Sequence, residues 1–167
     1  EPVVVPRWIR GEASAEITAP WPQPLAVVAL GGSVGTAAQG IEAEVVPVTT
    51  LEELKAQPRE RIAGRIVFFT ARMERSRDGS GYGKTVPPRS SGAAEAARLG
   101  AVAMVMRPAG TSTSRTPHTG AQRWSDGIPP IPAFALSNPD ADLLEQQLAS
   151  GRPVRLKLTS TSRWDGE

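Results

Sequence analysis

The chain has 167 residues, 40% of them hydrophobic, which suffices for one domain with a single core. Its 19 lysines and arginines against 17 acidic residues leave a net charge of +2, too little for the field that binding to nucleic acid or an anionic membrane usually needs. The lack of cysteine excludes disulfides, thiolate catalysis and cysteine-bound zinc, and no apolar run reaches the roughly 18 residues of a transmembrane helix.

Eight short runs of β-branched and apolar residues, separated by prolines and glycines, predict strands. They cover residues 2–6, 15–18, 25–30, 43–48, 65–69, 101–106, 131–136 and 154–158. The run 101–106 is apolar throughout, which predicts a central strand covered on both faces. In the run 154–158 apolar and basic residues alternate, which predicts a sheet with one face toward solvent.

Two helices are predicted in the first hundred residues. Thr50 and Glu53 have the spacing of a capping box, and Pro58 ends that helix within two turns. Ser91 is the expected cap of the second helix, which ends at Gly100. The alanines between them make a thin face for close packing on a sheet.

A third helix is expected to run from Asn138 to Gly151. Pro139 suits its first turn, because a backbone N–H at that position would have no partner within the helix. The stretches 72–89 and 108–130 have no periodicity and predict polar loops. The first of them has five basic residues against two acidic ones. It is therefore either a solvated loop or a rim that meets an anionic group or an acidic partner.

The segment from Gly79 to Thr85 resembles part of a phosphate-binding loop. That motif needs four residues between its first glycine and the Gly-Lys pair, and a helix directly after it. Here three residues separate Gly79 from Gly83, and two prolines follow Val86. The spacing argues against nucleotide binding and predicts a flexible surface loop.

Ser33 lies in a Gly-x-Ser-x-Gly sequence, which is the pattern of the nucleophile elbow in serine hydrolases, and His118 follows downstream. The elbow requires a helix after the serine, whereas Gly40 interrupts this segment within a turn. A small serine hydrolase built on Ser33 is one hypothesis, and a glycine-rich turn after a strand is the other. His118 is the sole histidine, and without cysteines it cannot form a typical zinc site alone.

Five segments of the sequence, taken in order, resemble a protease-associated (PA) domain. They read ALGGSVGTAAQGIEAEVVPV, GRIVFF, YGKTVPPRSSGAAEAARLGAVAMVMR, TPHTGAQRW and IPPIPAFALSNPDADLLEQQL, and together they cover most of the chain. The particular resemblance is to the PA domain inserted in M28-family zinc peptidases of the aminopeptidase and plasma glutamate carboxypeptidase type.

The resemblance implies an α+β fold of the swivelling β/β/α kind, with an open β-barrel or sandwich flanked by two or three short helices. Residues 1–167 would form a single PA domain, in which segments 1–20 and 159–167 join a peptidase domain outside this chain. Because the chain begins at Glu1 without a methionine, we expect an excised or processed segment. The resemblance also implies an exported parent, secreted or periplasmic.

In the family, the peptidase domain holds two zinc ions with His, Asp and Glu ligands and uses a glutamate as general base. This sequence has no His-x-Asp motif, so no catalytic or metal-binding residue is carried over to it, and zinc is expected only in the peptidase domain. The resemblance implies a non-catalytic domain that shapes substrate access or mediates domain and protein contacts. Its implied partners are the peptidase domain, a peptide substrate and a second copy of the parent.

The positions that match the family's contact surfaces lie in the two long loops. They are Tyr82, Lys84, Thr85 and Arg89 in the first loop, and Pro117, His118, Thr119 and Gly120 in the second. A different function stays open, that of a free-standing module that binds peptides or proteins. A peptidase sequence beside this segment would favour the first function, and a stop or a transmembrane segment after it would favour the second.

Overall fold

The structure is a computed structural model, and it describes residues 3–125 and 127–166. Within these residues the elements follow in the order β1 (Trp8–Ile9), β2 (Ala13–Ala19), β3 (Gln23–Leu25), β4 (Val27–Ala29), β5 (Ile41–Val48), α1 (Leu51–Lys55), α2 (Arg59–Ile62), β6 (Ile66–Phe69), α3 (Ser80–Arg98), β7 (Ala103–Met106), β8 (Ala133–Leu136), α4 (Asn138–Ala149), β9 (Arg155–Ser160) and β10 (Arg163–Trp164).

Eight of the strands form one sheet in the order β3-β2-β9-β5-β6-β7-β8-β4. The four strands from β5 to β8 are parallel, and the other pairs are antiparallel. The two edge strands, β3 and β4, are consecutive in the chain and only Ala26 separates them. The sheet therefore curls until its edges come together, which confirms the predicted α+β fold with an open barrel and flanking helices.

The sheet has a hydrophobic cluster on each of its faces. The inner cluster fills the barrel and is closed by α4, with Ile17, Phe68, Phe134, Leu144 and Leu156 among its members. The outer cluster lies under α1, α2 and α3, with Leu54, Ile62, Phe69, Ala96 and Met104 among its members. All residues of β7 are buried because the strand contributes to both clusters, as predicted for residues 101–106.

The remaining predicted strands agree with the structure except at two places, and the two-residue strands β1 and β10 were not predicted. In β9 the side chains of Leu156 and Leu158 are buried, while those of Arg155 and Lys157 are exposed, as their alternation predicts. The strand predicted at residues 2–6 is wrong for residues 3–6, which have no regular structure, and Pro2 lies outside the described residues. The single strand predicted at 25–30 is two strands.

The chain breaks between β3 and β4 because Ala26 bonds to a helix. Its backbone N–H donates to Oδ2 of Asp140 at 3.0 Å instead of continuing a strand ladder. The chain consequently leaves one edge of the barrel at Leu25 and joins the other edge at Val27, where it pairs with Leu136 of β8.

Two of the predicted helices begin as the sequence indicates. The hydroxyl of Thr50 accepts a hydrogen bond from the backbone N–H of Glu53 at 3.1 Å, and Oε2 of Glu53 accepts one from the N–H of Thr49 at 2.6 Å, which together cap α1. The helix α4 begins at Asn138, but its cap is Ser137, whose hydroxyl accepts from the N–H of Asp140 at 3.2 Å. The short helix α2 was not predicted.

The helix α3 corrects the sequence-based prediction over residues 72–89. It begins at Ser80, where Oδ1 of Asp78 accepts a hydrogen bond from the Ser80 N–H at 3.0 Å, so the predicted cap Ser91 lies inside the helix. Gly83, Lys84 and Thr85 are therefore helical residues and belong neither to a phosphate loop nor to a flexible one.

Tertiary packing explains why α3 forms in a poor helical sequence. Pro87 and Pro88 lack the amide that a helix interior uses, and glycine also disfavours helix. A Cβ on Gly92 would lie 2.6 Å from Cε2 of Phe69, so the glycine lets the helix pack closely against β6.

The loop predicted over 108–130 has no helix or strand in its described residues, apart from a single bridge between Ala121 and Gly31.

Candidate functional site

The first half of α3 and residues 117–124 form one surface, which we call the α3 rim. The guanidinium of Arg89 lies 5.5 Å from the ring centroid of Tyr82, within the range of a cation–π contact. The same group packs on Gly120, where a Cβ would lie 2.7 Å from Cζ of Arg89. The structure thus brings together three residues predicted from two separate segments.

The other two predicted residues of the first segment face in opposite directions. Lys84 is exposed, and its Nζ lies 3.9 Å from Oε2 of Glu74. Thr85 is buried, and its hydroxyl donates to the carbonyl oxygen of Tyr82 at 3.1 Å. On α3, therefore, the Lys84 side chain is exposed to solvent, whereas the buried Thr85 side chain bonds to the backbone of its own helix.

In the second segment His118 is exposed and Pro117 is half-buried. The hydroxyl of Thr119 donates to the carbonyl oxygen of Ala29 at 3.2 Å and lies 3.3 Å from Nη1 of Arg10. The carbonyl of Gly120 accepts from the N–H of Gly31 at 2.9 Å. These bonds fix the segment to the end of β4 and leave the imidazole free to reach solvent.

Two polar side chains of the rim have buried atoms without hydrogen-bond partners among the described residues. These atoms are Nε of Arg89 and the side-chain amide nitrogen and oxygen of Gln122. Sequence reasoning missed Gln122, since nothing in its neighbourhood marks it. Of the eight predicted contact residues, Tyr82, Lys84 and His118 are the exposed ones.

A second surface, which we call the apolar end, adjoins the ribbon of β1 and β10. Trp164 is 53% exposed and stands opposite Trp8 in the ribbon. It borders an open groove of about 270 Å³ that is also lined by Val34, Trp124 and Pro130. An exposed tryptophan beside an apolar groove is typical of a surface that contacts another protein or domain.

Four charged residues, Arg72, Arg107, Asp142 and Glu145, form a charged cluster between the end of β7 and α4. Arg107 is only 2% exposed; its Nη1 lies 2.7 Å from Oδ1 of Asp142 and its Nη2 lies 2.8 Å from Oε2 of Glu145. Nη2 of Arg72 contacts the same two carboxylates at 2.5 and 2.6 Å from the solvent side.

The two arginines keep the cluster ionised. Burial opposes the ionisation of Asp142, but its ion pairs with Arg72 and Arg107 outweigh burial and hold the pKa of Asp142 below its ordinary value. Burial likewise opposes the charge of Arg72, yet the contacts with Asp142 and Glu145 prevail and raise the pKa of Arg72. Asp142 and Arg72 therefore both carry their charge at neutral pH.

The surroundings of Ser33 are those of a structural serine. The residue is fully buried, and its hydroxyl accepts a hydrogen bond from the backbone N–H of Ala133 at 2.9 Å. Residues 34–40 contain no helix, which the nucleophile elbow requires. The structure thus supports the glycine-rich turn and not the serine hydrolase.

The described residues do not fit a zinc site. Among them, no three His, Asp or Glu side chains are grouped closely enough to hold a metal. The two acids of the charged cluster, Asp142 and Glu145, are paired with arginines. Across 3–125 and 127–166, none of the helices is both long enough and apolar enough to cross a bilayer.

No protein-family model matches the chain. It is 39% identical over 158 residues to Carboxypeptidase Q of Xenopus laevis and 36% identical to Carboxypeptidase Q of Homo sapiens; each alignment covers 95% of this chain and 32% of the relative. In structure, a Peptidase M28 precursor from Shewanella amazonensis matches with a TM-score of 0.95 and 46% identity, over 99% of this chain and 38% of that protein. The chain is a domain associated with M28 peptidases.

The chain spans 32% of the length of the Carboxypeptidase Q relatives, so the match concerns one part of those proteins. An aminopeptidase from Aneurinibacillus sp. strain AM-1 matches 96% of the chain with a TM-score of 0.61 at 14% identity. At that identity the match shows that the M28-associated domain and the aminopeptidase segment share a fold.

Proposed function

We propose that this chain is a non-catalytic protease-associated domain of an exported M28-type zinc exopeptidase, the parent. In that role it shapes the access of substrate to a peptidase domain and mediates contacts between domains and proteins. The observation that carries the proposal is the alignment of 95% of the chain with 32% of Carboxypeptidase Q. The rest of that relative is long enough for a separate catalytic domain.

The proposal assigns the contact with the peptidase domain to the apolar end. In its support, the ribbon joins residues from both ends of the chain, since the N–H of Asp165 donates to the carbonyl of Arg7 at 2.9 Å. In the proposal, segments 1–20 and 159–167 lead to the peptidase domain, although β2 and the last two residues of β9, Thr159 and Ser160, belong to the barrel sheet. The exposed Trp164 would be covered there.

The proposal assigns contact with a peptide substrate, a protein partner or a second parent molecule to the α3 rim. Tyr82, Lys84 and His118 are exposed there and offer an aromatic ring, an ammonium and an imidazole. Arg89 orders this surface through its contacts with Tyr82 and Gly120. Pro117, Thr119 and Thr85 would act by holding the backbone in place.

The first experiment compares the 167-residue chain with the parent. Both are tested for hydrolysis of peptides with free amino or carboxyl ends, and their zinc content is measured by mass spectrometry. We expect zinc and hydrolysis in the parent and neither in the chain alone. Zinc-dependent hydrolysis by the purified chain would refute the proposal, and a parent without peptidase sequence would favour the free-standing binding module.

A second experiment tests the rim within the parent. Lys84→Ala and His118→Ala should raise KM by about threefold to tenfold with little change in kcat, because they remove contacts made equally in the ground and transition states. Lys157→Ala is the matched control, since that lysine is exposed on β9. An unchanged KM in both rim variants would leave docking at the apolar end as the role of the domain.

A further inference from the structure

An open cavity of about 370 Å³ lies where β6 and β7 end and α4 begins, within the range of roughly 300–1,000 Å³ for small-molecule sites. The helix α3 packs on the outer cluster and α4 on the inner one, so the chain diverges to opposite faces of the sheet at this edge. Such crevices at the carboxyl ends of parallel strands are where open α/β sheets bind ligands.

The charges in the wall of this cavity do not balance. Arg72, Arg107 and Asp142 line it as members of the charged cluster, whose two arginines and two carboxylates neutralise each other. Arg75 also lines the cavity, is exposed, and forms no ion pair in the part of the chain that the structure describes. Glu145 does not line the cavity, but it pairs with Arg72 and Arg107 from behind, so wall and cluster together have one positive charge in excess.

The rest of the wall combines hydrogen-bond donors with apolar surface. Residues 111–113 line the cavity, and their backbone N–H groups donate to no group among the described residues. Met73 and Pro139 lie in the same wall. A ligand with one anionic end and one apolar end would satisfy both kinds of surface.

We propose that this cavity binds a monoanionic carboxylate of amino-acid size that carries an apolar group. The guanidinium of Arg75 can hold a carboxylate through two parallel N–H bonds, and the apolar group would lie against Met73 and Pro139. A phosphate monoester carries about −1.5 to −2 charges, which Asp142 and Glu145 would repel more strongly. The proposal does not depend on the function proposed above.

The test is an NMR titration of the isotope-labelled chain with N-acetyl-L-leucine. We expect saturable amide shifts confined to residues 72–75, 110–113 and 138–142, which surround the cavity. N-acetyl-L-leucinamide, which lacks the carboxylate, should bind at least about tenfold more weakly, since it loses the charge-assisted bonds. Inorganic phosphate should also bind more weakly than the carboxylate.

Variants of two neighbouring arginines complete the test. Arg75→Gln should weaken binding of N-acetyl-L-leucine by about tenfold. Arg75→Lys should weaken it less, because lysine keeps the positive charge and loses only the two parallel N–H donors of the guanidinium. Arg77→Gln is the matched control, since Arg77 is exposed but does not line the cavity. No saturable shifts, equal binding of the amide, tighter binding of phosphate, or equal effects of the two Gln variants would each overturn the proposal.

Discussion

The carboxylate of Asp140, on the first turn of α4, accepts a hydrogen bond from the backbone N–H of Ala26 across the seam of the barrel. Asp140 is only 2% exposed, and it also accepts bonds from the hydroxyl of Ser137 at 2.5 Å and from Nε of Arg115 at 2.9 Å. One carboxylate thus joins the cap of α4 to the residue at which the chain passes between the two sheet edges.

We predict that Asp140→Ala lowers the free energy of unfolding by about 2–4 kcal/mol, because it leaves the half-buried Ala26 N–H and the buried Ser137 hydroxyl without their acceptor. Urea denaturation followed by circular dichroism measures the change. Asp165→Ala, which removes a surface acid that pairs with Arg7, is the control and should change stability by less than about 0.5 kcal/mol. A loss below about 1 kcal/mol for Asp140→Ala would contradict the assigned role.

Two glycines of α3 should respond to alanine with opposite signs. Gly92→Ala should destabilise the chain by about 1–3 kcal/mol, because its Cβ would lie 2.6 Å from the Phe69 ring. Gly83→Ala should be neutral or stabilising by up to about 1 kcal/mol, because no atom lies within 4 Å of its Cβ position and alanine favours helix. Thermal or urea unfolding of both variants checks the register of α3, and equal signs would refute it.

The stability that Asp78 contributes should depend on pH. The N–H of Ser80, followed by the hydroxyls of Ser80 and Ser76, lowers the pKa of Asp78 from 3.8 to about 2. Because the folded-state pKa is the lower one, the contribution is fully present above the unfolded value of about 4 and is lost as pH falls through about 2.

The carboxyl ¹³C shift of Asp78, followed from pH 5 to about 1.5, measures this pKa directly. Ser76→Ala and Ser80→Ala should each raise it, because each removes a hydroxyl that stabilises the carboxylate. The stability difference between wild type and Asp78→Ala should shrink over the same range. A pKa of Asp78 near 4 in the folded chain would rule out its role at the start of α3.

Ser33 should not react with a fluorophosphonate probe, because its hydroxyl is buried and bonded to the Ala133 N–H. Ser33→Ala should instead destabilise the fold by about 1–3 kcal/mol, since that N–H loses its acceptor. Mass spectrometry of the probe-treated chain and urea unfolding of the variant check the two outcomes. Labelling that disappears in Ser33→Ala would restore the serine hydrolase.

The sequence predicts the elements whose signals are local. Apolar runs and alternation identify most strands, and the cap at Thr50 marks α1. The first half of α3 could not be predicted, because two prolines and Gly81 argue against a helix, and the close packing of Gly81 on Glu74 depends on the preceding loop. The break at Ala26 depends on Asp140, which is distant in sequence.

The sequence identifies residues of the candidate site but not the contacts between them. The two segments of the α3 rim can be chosen from the sequence, yet no spacing rule places the guanidinium of Arg89 on Gly120. The charged cluster and the cavity beside it draw residues from two connections and from α4, so each segment alone shows only scattered charges. Such sites arise from topology, in this case from parallel strands whose ends meet at one edge.

The seam of the barrel restricts how a partner can bind. The two edge strands have three residues each, and one of them contains Pro24, which has no N–H to donate. A peptide could therefore add at most a few backbone hydrogen bonds by β-augmentation, in contrast to domains that recognise ligands by extending an open sheet. Recognition by this domain would have to depend on side chains, so partner choice can change by surface substitution without altering the barrel.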